Sequence, residues 1–205
     1  MTIIGPAVRA LCVGAGLAFC AGTPTSFAQD ADWPCVQRLV PTLEPGLVWS
    51  GPALEPMDQP RPELQVAARR LIDPQLSPEA VTADVKSFAE QQPEAERGKA
   101  LTQLFALSFD WLNDERSRVL RGIHHYAAGQ KKLADRIVVE TRELEKLQSA
   151  SSADNAAITD VQATRDWDLR IYADRQKSLS LVCEQPVQLE QRAFALARII
   201  QDQLP

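Results

Sequence analysis

The sequence has few of the residues and motifs that form common catalytic and metal sites. It contains two histidines, the adjacent pair His124 and His125. Adjacent side chains on a helix point about 100° apart, and none of the neighbours three or four positions away is a suitable zinc, copper or iron ligand. No C-x-x-C, G-x-S-x-G or G-x-G-x-x-G motif is present. We therefore predict no catalytic residues, no metal site and no cofactor.

An excess of positive charge is also lacking. Lys and Arg number 22 against 27 Asp and Glu, for a formal net charge of −5. Phosphates would repel such a chain, and no polybasic patch for an anionic membrane is evident, so nucleic acid is not a predicted partner. A spanning helix needs about 20 apolar residues, and no run after residue 28 reaches that length. We expect no integral membrane segment once a leader is removed.

Residues 1–28 have the three parts of a secretory signal peptide. Arg9 supplies positive charge, residues 10–21 are apolar, and a small-residue site predicts cleavage before residue 29. Lipidation at Cys20 is a weaker alternative, because the preceding Phe19 is larger than lipid attachment prefers. We predict a bacterial periplasmic or secreted protein.

Two of the four cysteines, Cys35 and Cys183, remain after this cleavage. An even number in an oxidising compartment favours a disulfide, while the missing C-x-x-C argues against a thioredoxin-like redox role. Metal binding would need further ligands. We therefore predict a structural Cys35–Cys183 disulfide, which would contribute on the order of 4–5 kcal/mol in the chain-entropy model.

The segment 29–62 is predicted to be an extended arm, because its prolines remove amide donors and interrupt any helical period. GLVWSGP, residues 46–52, is its one strand-like piece. For the apolar anchors Trp33 and Trp49 we favour packing on a helical body; the alternative is that Trp49 marks an exposed partner site. The prolines are Pro34, Pro41, Pro45, Pro52, Pro56, Pro60 and Pro62.

From residue 63 onward the apolar spacing is helical and predicts a helical domain over 63–205. A short helix over 63–72 is followed by helices that begin at Ser77-Pro78 and Pro93, where serine and proline favour helix starts. The last helix is predicted to begin at Pro186. The centre of the core is expected in the most apolar segment, at Leu101, Leu104, Phe105, Ser108 and Leu112.

A long antiparallel helical hairpin is predicted over about 115–182. Apolar positions between residues 119 and 147 alternate at spacings of four and three, the pattern of a coiled-coil seam, with Gln130 and Glu140 as polar interruptions. A polar turn at 149–156 leads into the returning helix. The predicted fold class is all-α, an irregular helical bundle with a long antiparallel hairpin and a Pro-rich N-terminal arm.

Two glycines, Gly122 and Gly129, lie seven positions apart in RGIHHYAAGQKK, residues 121–132. They face the same way on a helix, where each costs about 1 kcal/mol relative to alanine. Two interpretations are open: close packing inside the bundle, which we favour, and a docking groove for a partner. The predicted partner surface comprises Gly122, His124, His125, Gly129 and, if exposed, Trp49.

These features favour a non-enzymatic interaction or scaffold protein in the periplasm. The alternative is a periplasmic module that binds a small ligand or a cation, and a hydrolase is the third hypothesis. The sequence predicts neither the oligomeric state nor the identity of a partner.

Overall fold

The computed structural model describes residues 32–152 and 154–205. Four α-helices dominate these residues, which contain no strand, and the all-α prediction is confirmed. The helices are α1 Pro62–Leu71, α2 Pro78–Glu90, α3 Glu94–Ser149 and α4 Asn155–Gln201. The predicted signal peptide, residues 1–28, lies outside the described residues.

Helix α3 is the longest element of the described chain. Its 56 residues span about 84 Å, and it joins the predicted core helix to the first arm of the predicted hairpin without a break. Proline is absent between Glu94 and Ser149, so every backbone bond of the interior can form. Helix α4 returns antiparallel along α3, which confirms the predicted hairpin.

The prediction that Pro186 begins a separate last helix is wrong, because α4 continues through it. Proline in a helix interior removes one backbone hydrogen bond and costs about 3 kcal/mol. Pro186 is itself buried, and the turns that follow it bury Leu196 and Ile200 in the main core. Tertiary packing of this segment therefore outweighs the lost bond.

The hairpin turn lies where the polar stretch predicted it. Helix α3 ends at Ser149 and α4 begins at Asn155. Asp154 caps α4, since its carboxylate accepts hydrogen bonds from the backbone amides of Ala156 and Ala157 at 3.1 Å. In the same way Ser77 caps α2 by accepting a bond from the amide of Ala80 at 3.3 Å. These bonds satisfy amides that have no intrahelical partner.

The main core lies where α1, α2 and the arm pack on the first turns of α3 and the last turns of α4. Trp49 stacks on Phe105 with ring centroids 4.1 Å apart and planes 10° apart. The predicted centre of the core is confirmed, since the following residues are all buried: Leu101, Leu104, Phe105, Ser108 and Leu112.

The N-terminal arm is bound to the helices along its length. Asn113 accepts from the amide of Leu43 at 3.1 Å and donates to its carbonyl at 3.2 Å. The buried Arg116 donates to the carbonyl of Val40 at 2.6 Å. The strand-like interpretation of residues 46–52 is wrong, because a 3-10 helix occupies Pro45–Leu47. The prolines there leave too few donors for a ladder.

A second, smaller apolar cluster surrounds the predicted disulfide, which is confirmed. Cys35 and Cys183 are bonded with their Cα atoms 5.6 Å apart. Trp33, Leu120 and Ile123 pack beside them. Beyond this cluster, buried residues of the hairpin such as Gln130, Leu133 and Asp168 belong to neither apolar cluster. The part of the hairpin over residues 122–182 is called here the distal hairpin. Its two helices pair along their own seam, and its base, at Leu179 and Val182, packs on the disulfide cluster.

Candidate functional site

The two glycines of the predicted docking segment lie on an open side of α3. Apart from the adjacent residues and the surrounding turns of helix backbone, no heavy atom of the described chain lies within 4 Å of the place a Cβ would take at Gly122 or Gly129. Each glycine costs about 0.8–1.0 kcal/mol relative to alanine in a helix interior. No close approach of another described segment offsets that cost. The sequence favoured close packing of these two glycines inside the bundle. No part of the described residues, 32–152 and 154–205, packs closely against them, so that interpretation is wrong.

The other predicted surface residues lie elsewhere. The ring of His124 lies 5.3 Å from that of Trp33, on the side of α3 that the arm covers. His125 is exposed, one residue further around the helix. Trp49 is 8% exposed and packed against Phe105, so the structure supports its packed interpretation and separates it from the glycines.

A shallow groove runs along the hairpin at Gly129, with a volume of about 200 Å³. Its walls come from both helices: Gly129, Lys132, Leu133 and Arg136 from α3, and Ile171 and Arg175 from α4. Because positions three, four and seven apart share one side of a helix, the groove residues define a longer surface. We call this surface the glycine face; it comprises Gly122, His125, Gly129, Lys132, Arg136 and Val139 of α3, and Trp167, Ile171, Arg175, Ser178 and Leu181 of α4.

Two cross-helix contacts set the register of this face. The hydroxyl of Tyr126 donates to the carbonyl of Arg175 at 2.6 Å. Ten residues further along α3, the guanidinium of Arg136 donates to the carboxylate of Asp168. Trp167 therefore lies level with the end of the groove formed by Arg136.

The glycine face exposes large apolar side chains at both ends. Trp167 is 58% exposed and Val139 is 62% exposed at the distal end, and Leu181 is 65% exposed near the disulfide. The guanidinium of Arg170 lies 5.7 Å from the centroid of the Trp167 ring, in cation–π range. Exposed apolar side chains are common singly, but a set aligned on an open groove is typical of interaction surfaces.

The same part of the hairpin is locally basic. Residues 121–142 and 165–177 together contain nine Lys and Arg and five Asp and Glu, in a chain whose net charge is −5. Two of the five acids, Glu140 and Asp168, are turned into the seam. Lys132 and Arg175 have no ion-pair partner among the residues that the structure describes. The charged side chains that line the groove itself are all cations, Lys132, Arg136 and Arg175. Asp174, midway between Trp167 and Leu181 on α4, pairs with Lys177 at 3.2 Å.

A buried polar cluster lies in the seam behind the groove. Asp168 is 3% exposed and accepts a hydrogen bond from Arg136. Burial, together with the nearby carboxylate of Asp168, raises the pKa of Glu140, and Arg136 opposes that rise. Gln130 donates to the carbonyl of Tyr172 at 3.3 Å. Such buried polar contacts favour one register over its neighbours, since a slip would leave them unpaired.

A wider depression of about 960 Å³ lies on the body, between the end of α1 and the paired helices. The guanidinium of Arg69 covers the ring of Trp111 at 4.9 Å. Arg192 donates to the carbonyl of Leu71 at 2.8 Å, and burial lowers the pKa of its guanidinium. Three cations, Arg69, Arg118 and Arg192, and three acids, Asp73, Asp114 and Glu115, line this depression, so its charges balance. It is the candidate site for a small ligand.

In the described part of the chain, no group of three or more His, Cys, Asp and Glu side chains is placed to hold a metal ion. None of the described helices has both the length and the apolar character required to cross a membrane. Comparison with protein-family models, curated proteins and solved structures finds no match to this chain. Function is therefore argued from the geometry alone.

Sequence reasoning identified the glycines but missed Trp167, Ile171 and Leu181. The apolar spacing of the second hairpin helix is most regular along its seam, at Val161, Tyr172 and Leu179. Trp167, Ile171 and Leu181 form a second apolar stripe on α4, offset from that seam by about one residue. This stripe is the sequence signal for the part of the glycine face that α4 contributes.

Proposed function

We propose that this chain is an exported, non-enzymatic interaction protein of the periplasm, and that the distal hairpin presents the glycine face to a protein partner. The observation that carries the proposal is the open glycine pair beside exposed Trp167 and Leu181. The arm and the disulfide support it, since they tie down the base of the hairpin and leave this side uncovered by described residues.

Localisation is tested by osmotic-shock fractionation of the native cell and N-terminal sequencing of the released protein. We expect a periplasmic fraction that begins at Gln29. A cytoplasmic protein with an intact N-terminus would contradict the export half of the proposal.

The partner is tested by photocrosslinking in cells with benzoylphenylalanine at position 132 of the glycine face and, as a matched control, at position 173. Ala173 is exposed and lies about 200° around α4 from Ile171. We expect a discrete adduct from position 132 that disappears when Gly129→Leu is added. Adducts of equal yield from both positions, or none from position 132, would contradict a partner at this face.

Binding of a small ligand or a cation is the second candidate, because Trp111 and charged side chains of both signs line the depression on the body. Thermal-shift screening of a panel of metabolites and metal cations against the wild type and Arg69→Ala tests it. A stabilisation that depends on Arg69 supports this candidate; an absence of any stabilising compound removes it. The hydrolase hypothesis has no observation in its favour among the described residues.

A further inference from the structure

We infer that the occupant of the glycine face is an acidic amphipathic α-helix of about five turns, supplied by a partner protein. The inference rests on the proposed interaction function and names the chemistry of its partner. A third helix in this position would convert the distal hairpin locally into a three-helix bundle.

The dimensions of the face match a helix. Gly122 and Val139 are 17 residues apart on α3, about 26 Å at a rise of about 1.5 Å per residue. Packed helix axes lie about 8–10 Å apart, and small residues at the contact permit the shorter distances. Gly122 and Gly129 supply two such positions one heptad apart, on the side where the structure leaves space for a Cβ.

The apolar residues give the occupant its pattern. Leu181 and Trp167 are 14 residues apart on α4, which is two heptads. A helix laid in the groove between α3 and α4 would cover both with apolar side chains repeating at three and four positions, as in other helix-in-groove complexes. An extended peptide has no sheet edge to join, since the described chain contains no strand.

The charge of the rim favours an acidic partner over a second copy of this chain. A twofold dimer buries the same patch on both subunits. Such a dimer would bring the patch that contains Lys132, Arg170 and Arg175 against the same cationic patch of the other copy. An occupant with Asp or Glu flanking its apolar stripe would instead pair with them, as residues flanking a coiled-coil seam do. The opposite side of α3 is partly covered, because Lys131 pairs with Asp32 of the arm at 3.6 Å.

The test uses the oxidised full chain and a displayed library of 20-residue helical peptides. All members carry a fixed apolar heptad pattern, and their flanking positions are randomised among Glu, Lys, Gln and Ala. Selected peptides are synthesised with a fluorophore, and their dissociation constants are measured by anisotropy. We expect selection to enrich peptides with net negative charge.

Matched variants locate the binding site. We expect Gly129→Leu and Lys132→Glu each to weaken binding of the selected peptide at least tenfold, whereas Ala173→Leu on the other side leaves it within twofold. Gly129→Leu is expected to stay folded, because the Cβ position is open and leucine is the better helix former. Circular dichroism and the melting temperature check this for every variant.

Three results would overturn the inference: enrichment of neutral or basic peptides, selected peptides whose affinity is insensitive to Gly129→Leu, and failure to select any binder. Light scattering that shows a dimer lost in Gly129→Leu would assign the face to a second copy instead. A cellular adduct at position 132 together with non-acidic peptides would leave the proposed function standing and refute the acidic helix alone.

Discussion

Replacing the two hairpin glycines by alanine is predicted to stabilise the protein. Alanine is favoured over glycine in a helix interior by about 0.8–1.0 kcal/mol, because glycine loses more backbone freedom on folding. The added methyl group meets no described atom within 4 Å at Gly122 or Gly129. We therefore expect each substitution to raise the free energy of unfolding by about 1 kcal/mol.

The two effects should add. Seven residues of helix place the positions about 10 Å apart, a separation at which independent substitutions combine within a few tenths of a kcal/mol. The double variant is expected to gain about 2 kcal/mol, or about 4–8 °C in melting temperature for a chain of this size. Guanidinium unfolding of the oxidised protein, followed by far-ultraviolet circular dichroism, measures the gain at an unchanged m value.

Gly51 supplies a control in which the same substitution should have the opposite sign. A Cβ at Gly51 would lie 2.7 Å from Cε2 of the buried Trp49 ring. Because that ring is stacked on Phe105, it has little room to move, and overpacking of this kind costs about 1–3 kcal/mol. A loss of stability in Gly129→Ala comparable to that in Gly51→Ala would refute the reasoning, since it would show another segment packed against the glycine face.

Three further predictions test the core, the disulfide and the seam. Phe105→Ala is expected to destabilise the protein by about 3–5 kcal/mol, because it empties a fully buried site and removes the stack with Trp49; a loss below 1 kcal/mol in guanidinium unfolding would contradict this packing. Replacing Cys35 and Cys183 together by alanine should lower the free energy of unfolding by about 5 kcal/mol, since the bonded residues are 148 apart in sequence; dithiothreitol should match that loss in the wild type and leave the variant unchanged. The pKa of Glu140 is raised in the folded state above its ordinary value of 4.5. Between the unfolded-state pKa and the folded-state pKa, the folded protein therefore binds more protons than the unfolded protein. The free energy of unfolding falls as the pH rises through that window. Glu140→Gln should stabilise the hairpin at neutral pH and reduce the decrease in stability with rising pH. Melting temperatures measured over a pH series test this: an equal pH dependence in the wild type and the variant would exclude the effect.

Much of the fold could be predicted because its causes are local. Ser77 starts a helix by accepting an amide bond, and the proline-free stretch that follows Pro93 permits one long helix. The disulfide between Cys35 and Cys183 followed from counting the cysteines that remain after the predicted signal peptide. Pro186 was misjudged because its local preference for a helix start is overcome by burial of the turns on either side.

The candidate site was predicted only in part. The seven-residue spacing of Gly122 and Gly129 shows from the sequence that they share a side of α3. Spacing along one helix does not show what lies across from it, so the sequence left both close packing, which we favoured, and an open groove possible. The register set by Arg136 and Asp168 places Trp167 beside that groove, and this is a relation between distant parts of the chain.

The sequence by itself determined the all-α class, the hairpin with its polar turn, the pairing of Cys35 with Cys183 and the apolar centre around Phe105. These follow from helical periodicity, capping chemistry and cysteine number, which act over a few residues or by elimination. Only the tertiary structure decided that Trp49 is buried, that α4 passes through Pro186 and that the glycine face is open. Each of these depends on which surfaces meet in space, because burial free energy is set by all the neighbours of a side chain and not by its position in the chain.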